Sequence, residues 1–103
     1  MNVNFFFLFF FKKDKIDALI DYAQNSVMNQ KEEILNESRN PTECYDTVTI
    51  KIDEAVDLFM KREPFLRMTP LNEINELKHK LGNSFKKEFE GIMVTFNIVK
   101  HYL

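Results

Sequence analysis

The chain has 103 residues, a length that fits a single domain (residues 1–103) around one hydrophobic core. Hydrophobic residues make up 45% and charged residues 29%, a balance that argues against a disordered chain and against a coiled coil. The net charge of −2 lacks the strong positive field of a protein whose main task is binding nucleic acid. Residues 60–103 are mildly basic, so nucleic-acid binding stays open but is not favoured.

Cysteine usage limits the covalent and metal chemistry of the chain. Cys44 is the only cysteine, so one chain can form neither an internal disulfide nor a thiolate metal cluster. We therefore expect a reducing compartment, the cytoplasm, and no cofactor.

The most unusual segment is residues 5–11, which read Phe-Phe-Phe-Leu-Phe-Phe-Phe. A bilayer span takes about 20 apolar residues, so no membrane span is expected, and a membrane anchor or export signal is a minor alternative. Aromatic residues favour extended backbone, and an unbroken apolar run is typical of a strand buried on both faces. We therefore predict a central strand, followed by Lys12 and Lys13 as charged gatekeepers against aggregation.

A long helix is predicted over residues 14–37, with Asp14 as its N-cap. Apolar side chains recur there at helical spacing, namely Ile16, Leu19, Ile20, Ala23, Val27, Ile34 and Leu35. The stretch 36–43, with Asn40-Pro41, is predicted to be a loop.

Alternation of β-branched residues predicts a second, half-exposed strand over residues 44–52. In it Val48, Ile50 and Ile52 share one face. A short helix over residues 54–62 is expected to follow and to end before Pro64.

The remaining elements are a third helix and a third strand. Thr69-Pro70 is typical of a helix start, and Gly82 of a helix end. Residues 92–100 fit both a helical stripe and a strand, and their β-branched content favours the strand. Residues 84–90 are then a helical turn or a hairpin arm.

The predicted fold class is accordingly α/β or α+β, in the order β-α-β-α-α-β. The Phe-rich strand lies at the centre of a small three-stranded sheet, and the helices pack on that sheet. The alternative is an all-helical bundle with an apolar N-terminal arm.

Catalytic signals are weak, so an enzyme is the less favoured class. An acid and base cluster at the sheet edge would involve Lys12, Asp14 and Asp53. The only metal-like pattern is a single Glu-x-x-His copy, Glu76 and His79, which is better explained as helix surface.

Residues 77–89 resemble a helix-turn-helix, because a helix ending in Leu-Gly is followed by a capping serine. This resemblance covers about an eighth of the chain and implies a DNA-binding alternative that uses residues 71–90. Lys78 stands where such motifs prefer a small residue, which weakens the match. The DNA-contacting residues under this alternative are Lys78, Lys80, Ser84, Lys86 and Lys87.

Residues 59–68 combine aromatic, methionine and arginine side chains around Pro64, a composition enriched in protein interfaces. The predicted partner-binding residues are Phe59, Met60, Phe65, Leu66, Arg67 and Met68. The alternative is that they simply fill the core. Our leading hypothesis is a non-catalytic interaction or regulatory protein that docks on another protein or on its own copy as a homo-oligomer.

Overall fold

The protein is all helical in a computed structural model that describes the backbone of residues 2–102 and the side chains of residues 12–92 and 95. The predicted three-stranded sheet is wrong, since residues 2–102 contain no strand. The structure has the all-helical architecture that was the alternative. Its helices are α1 (Asn2–Asn29), α2 (Lys31–Glu37), α3 (Pro41–Arg62) and α4 (Leu71–Tyr102), with a 3-10 helix (Pro64–Met68) between α3 and α4.

The Phe-rich segment forms the first turns of α1 and is not a strand. Residues 1–40 contain neither glycine nor proline, so no helix breaker separates the apolar run from the amphipathic helix that follows it. A short apolar run does not by itself distinguish a strand from a buried helix, which explains the wrong prediction. The predicted burial of the rings of residues 5–11 concerns side chains outside the described residues.

The predicted helix over residues 14–37 is broken once, at Gln30. The Gln30 backbone N–H donates to the Val27 carbonyl at 3.0 Å instead of continuing the α-helical pattern. The Gln30 side-chain amide then donates to the Ser26 carbonyl at 3.0 Å. The side chain therefore satisfies a carbonyl at the end of α1 while the chain turns into α2.

Helix α3 begins where a loop and a strand were predicted. The Asn40 side chain accepts a hydrogen bond from the Glu43 backbone N–H at 3.0 Å, and Pro41 occupies the first helical turn. The Glu43 carboxylate in turn accepts from the Arg39 N–H at 2.8 Å. These reciprocal bonds resemble a capping box and fix the start of the helix.

Burial along α3 follows the helical period and not the alternation of a strand. Cys44, Val48, Ile52 and Val56 are buried at intervals of four residues, whereas Ile50 is 55% exposed. A strand would have put Ile50 on the same face as its neighbours Val48 and Ile52. The strand predicted over residues 44–52 is therefore wrong.

Helix α4 runs without interruption through Gly82 and Gly91. Neither glycine has a positive φ, so neither adopts the backbone that commonly ends a helix. Phe85 and Phe89 are buried on one face. The helix end predicted at Gly82 and the strand predicted over residues 92–100 are both wrong.

The core lies along α3, which packs antiparallel against α1 and α4. Pairing of Tyr22 with Phe59 and of Lys86 with Tyr45 sets these directions. The buried core residues are Leu19, Ala23, Val27, Ile34, Cys44, Val48, Ile52, Ala55, Val56, Leu66, Ile74, Leu81, Phe85 and Phe89.

The molecule is elongated, with a long axis of 66 Å. At 1.5 Å per residue α3 is only about 33 Å long. Lys12 lies beside Glu73 at the start of α4, while Lys86 lies over Tyr45 near the start of α3. The first ten residues of α1 and the last ten of α4 therefore continue past α3 at opposite ends, each by about 15 Å.

Candidate interaction surfaces

The structure divides the residues that were predicted to bind a partner. Leu66 is fully buried, and Phe59 packs against Tyr22 with ring centroids 5.4 Å apart. Met60 and Phe65 are half-buried. These four side chains fill or border the core.

Two apolar side chains near the start of α4 are strongly exposed. Met68 is 90% exposed and Leu71 is 73% exposed. Sequence analysis placed Leu71 on the apolar stripe of α4 and missed its exposure, because the stripe starts beyond the last residue of α3. Arg67 is also exposed, and its guanidinium donates to the Lys61 carbonyl at 2.8 Å.

Two ion pairs bring α1 to this same end of the bundle. The Lys15 ammonium lies 2.9 Å from the Glu63 carboxylate, next to the last residue of α3. The Lys12 ammonium lies 3.1 Å from the Glu73 carboxylate in the first turn of α4. The helical segment that carries residues 5–11 therefore leaves the bundle beside Met68 and Leu71.

We call this surface the basic end and define it as Lys61, Arg62, Arg67, Met68 and Leu71, all of which are exposed. Lys61 and Arg62 lie in the last turn of α3, where cations favourably meet the negative end of the helix dipole. The acids nearby, Glu63 and Glu73, already pair with lysines of α1. The basic end therefore combines apolar side chains with an excess of positive charge.

The opposite end of the bundle is acidic. Helix α2 carries three glutamates and one lysine, and its glutamates are all exposed. We call Glu32, Glu33 and Glu37 the acidic end. Helix α4 continues past this end as well, since Phe89 still lies in the core while Tyr102 is thirteen residues further on.

The residues of the DNA-binding alternative do not form one surface. No turn interrupts α4, so the helix-turn-helix geometry is absent over residues 71–90. Lys78 lies 3.3 Å from both Asp53 and Asp57, and Lys86 lies 5.2 Å from the Tyr45 ring, so both face α3. The remaining three are exposed and lie away from the core, namely Lys80, Ser84 and Lys87.

The residues proposed for a sheet-edge enzyme site are separated by the helical fold. Lys12 pairs with Glu73, Asp53 pairs with Lys78, and Asp14 is exposed on α1. Three depressions on the described surface measure about 190, 250 and 280 Å³. Small-molecule sites typically measure roughly 300–1,000 Å³, so none of these three reaches that size.

Metal-binding patterns do not converge on one point. Glu76 lies 3.9 Å from Lys80 on its own helix, whereas His79 lines a groove beside Tyr45. Among the side chains that the structure describes, no group of three or more His, Cys, Asp or Glu residues could hold a metal ion. The Glu-x-x-His pattern is thus part of the helix surface.

Cys44 is buried between helices and its thiol is free. Burial raises the pKa of the Cys44 thiol, and a hydrogen bond with Ser38 opposes that effect. Nucleophilic cysteines need a lowered pKa and access to solvent. This environment suits a structural residue.

No family model, curated protein or solved structure matches the chain. Within the part of the chain that the structure describes, no helix combines the length and the apolar character needed to cross a bilayer. The two ends of the bundle are thus defined by the chemistry of this chain's own residues.

Proposed function

We propose that this chain is a non-catalytic interaction protein that docks on a protein partner through its basic end. The observation that carries the proposal is the exposure of Met68 and Leu71, at 90% and 73%, beside the exposed Arg67. Methionine and arginine are enriched in interfaces, and apolar side chains with a charged surround are typical of docking surfaces.

The sequence of α1 supports the same surface. Residues 5–11 are apolar at every position, so they cover the whole circumference of a helix. A helix that is apolar all round requires an apolar environment on several sides. That segment lies beyond the end of α3, at the basic end, where a partner can supply this environment.

The positive charge of the basic end adds selectivity. Lys61, Arg62 and Arg67 would steer an acidic partner and repel a basic one, with a strength that falls as salt rises. Binding through this surface should therefore weaken in high salt.

A matched pair of variants tests the proposal. Wild type, Met68→Ser/Leu71→Ser and the control Ile50→Ser are immobilised, the proteins captured from native lysate are identified, and affinity for each purified candidate is measured by calorimetry. Ile50 is an exposed apolar residue of α3 and lies away from the basic end. We expect the double variant to bind the partner at least about tenfold more weakly than the control.

The stability of the double variant decides how a loss of binding is interpreted. Substitution of exposed side chains should change the free energy of unfolding by less than about 0.5 kcal/mol. Unchanged affinity of the double variant, or equal loss in the Ile50→Ser control, contradicts docking through the basic end.

The buried free thiol of Cys44 supports a reducing compartment, the cytoplasm, as the location of the protein. Fractionation of cells that express the tagged chain tests this location. Recovery of the chain from an oxidising compartment would contradict it.

A further inference from the structure

We infer that the partner of the basic end is the acidic end of a second copy of this chain, so that copies join head to tail. This inference rests on the proposed function, because it names the occupant of the same docking surface. It uses three features of the molecule: complementary charge at the two ends, parallel helical overhangs, and the apolar area of those overhangs.

The two ends carry opposite charge. Residues 61–71 hold Lys61, Arg62 and Arg67 against one acid, Glu63, which pairs with Lys15. The seven residues of α2 hold three exposed glutamates against one lysine. Charges of opposite sign on two surfaces of the same chain favour contact between unlike ends of two copies.

The backbone provides overhangs at both ends that match in direction. Because α3 is antiparallel to α1 and to α4, the helices α1 and α4 run parallel. A second copy placed end to end in the same orientation brings residues 93–102 of its α4 alongside residues 2–11 of the first copy's α1. Each overhang is about 15 Å long, so the two helical segments have equal length.

Both overhangs are rich in apolar residues by sequence. Residues 5–11 are six phenylalanines and one leucine, and residues 92–99 include Ile92, Phe96 and Val99 at helical spacing. At roughly 150 Å² for each buried aromatic side chain, six phenylalanines can bury on the order of 900 Å². A standard interface buries about 800 Å² on each partner, so this area is sufficient for a stable contact.

Two other occupants fit the molecule less well. A head-to-head pair would bring two basic ends together, and their excess positive charges would repel. An anionic lipid surface would complement the basic end but would leave the acidic end and the α4 overhang without a partner. A second copy uses both ends. A heterologous contact of this kind builds chains or rings.

Complementation between two disabled variants tests the inference. The first variant, Met68→Ser/Leu71→Ser/Arg62→Glu, disables the basic end and keeps the acidic end. The second variant, Glu33→Lys/Glu37→Lys, disables the acidic end and keeps the basic end. All five side chains are exposed, and circular dichroism melting verifies that each variant folds.

Sedimentation velocity of the full-length chain gives the readout. We expect wild type to form species that grow with concentration and shrink in high salt. Each variant alone should be monomeric, with self-association at least tenfold weaker than that of wild type. The equimolar mixture should form a one-to-one heterodimer that does not grow further, because only one intact end of each kind is present.

Three results would overturn the inference. The first is a wild type that stays monomeric while it still binds another protein through Met68 and Leu71, which leaves the proposed function standing. The second is dimerisation of the Glu33→Lys/Glu37→Lys variant alone as strongly as wild type, which indicates head-to-head pairing. The third is flotation of wild type with phosphatidylcholine and phosphatidylserine vesicles, without heterodimer formation in the mixture.

Discussion

Lys15 of α1 and Glu63, the residue that follows α3, form an ion pair with an N–O distance of 2.9 Å. Their side chains are only 30% and 23% exposed, whereas Lys80 and Glu76 lie 3.9 Å apart and are 73% and 69% exposed. The Lys15–Glu63 pair ties α1 to the connection between α3 and α4. It therefore fixes the position of the α1 overhang relative to the basic end.

Removing this ion pair should destabilise the fold modestly. We expect Glu63→Gln to lower the free energy of unfolding by about 1 kcal/mol, because partial burial strengthens the pair beyond a typical surface contact. Urea denaturation provides the measurement, and Glu76→Gln, which removes an exposed pair, should change stability by less than about 0.5 kcal/mol. Equal effects of the two substitutions would contradict a special role for Lys15 and Glu63.

Substitution of Gly82 tests the continuity of α4. A Cβ atom at Gly82 would meet no other atom within 4 Å, and the residue has an ordinary helical backbone. We therefore expect Gly82→Ala to raise the free energy of unfolding by roughly 0.5–1 kcal/mol in thermal or urea denaturation. Gly91→Ala is the matched control in the same helix. A helix that ended at Gly82 with a positive φ would instead lose stability on this substitution.

Leu66 and Met68 belong to the same 3-10 helix but should respond to truncation in opposite ways. Leu66 is fully buried, so Leu66→Ala should cost about 2–5 kcal/mol in the free energy of unfolding. Met68 is 90% exposed, so Met68→Ala should cost less than about 0.5 kcal/mol. Similar losses for both variants in urea denaturation would show that Met68 also packs in the core.

The buried thiol of Cys44 predicts a loss of stability at alkaline pH. Because burial raises the folded-state pKa of Cys44 above the unfolded value, the thiol's contribution is complete below the unfolded pKa. It is lost as pH rises from about 8.5, the usual thiol pKa, through the folded-state pKa. We expect the free energy of unfolding of wild type to fall across that window.

The control for this pH dependence is Cys44→Ala, which lacks the thiol. The variant should be less stable than wild type at neutral pH because a buried side chain is shortened. Its stability should decline less steeply at alkaline pH. The pKa of Tyr45 is also raised, mainly by desolvation and then by Glu90, and this residue titrates in both proteins. Identical slopes would contradict a raised pKa for Cys44.

The helical elements that could be predicted from sequence are those with a clear period and clear ends. The apolar stripe from Ile16 to Leu35 lies on α1 and α2, and the start near Thr69-Pro70 is within one or two residues of the observed start of α4. Long amphipathic periods identify a helix well. The break at Gln30 depends on one side-chain hydrogen bond and has no composition signal.

The errors arose where β-branched or aromatic content outweighed the helical period. Cys44, Val48, Ile52 and Val56 have helical spacing, but dividing the segment at Asp53 concealed it. Asn40-Pro41, followed by Glu43, was a capping signal that was interpreted as a loop. Tertiary packing and caps outweighed residue propensity over this segment.

The candidate surface was only partly predictable for a similar reason. The composition of residues 59–68 suggested an interface, yet composition cannot separate Leu66, which fills the core, from Met68, which is exposed. That separation depends on where α3 ends and where the 3-10 helix turns the chain. The partner-binding role of this region stays a prediction.

The placement of residues 5–11 on α1, at the basic end, is most directly tested by ¹³Cα chemical shifts of the full-length protein in solution. An unbroken set of positive secondary shifts from residue 5 to residue 20 is expected, because both parts belong to one helix. Negative secondary shifts over residues 5–11 would indicate extended backbone, and would contradict the α1 overhang and the docking surface built on it.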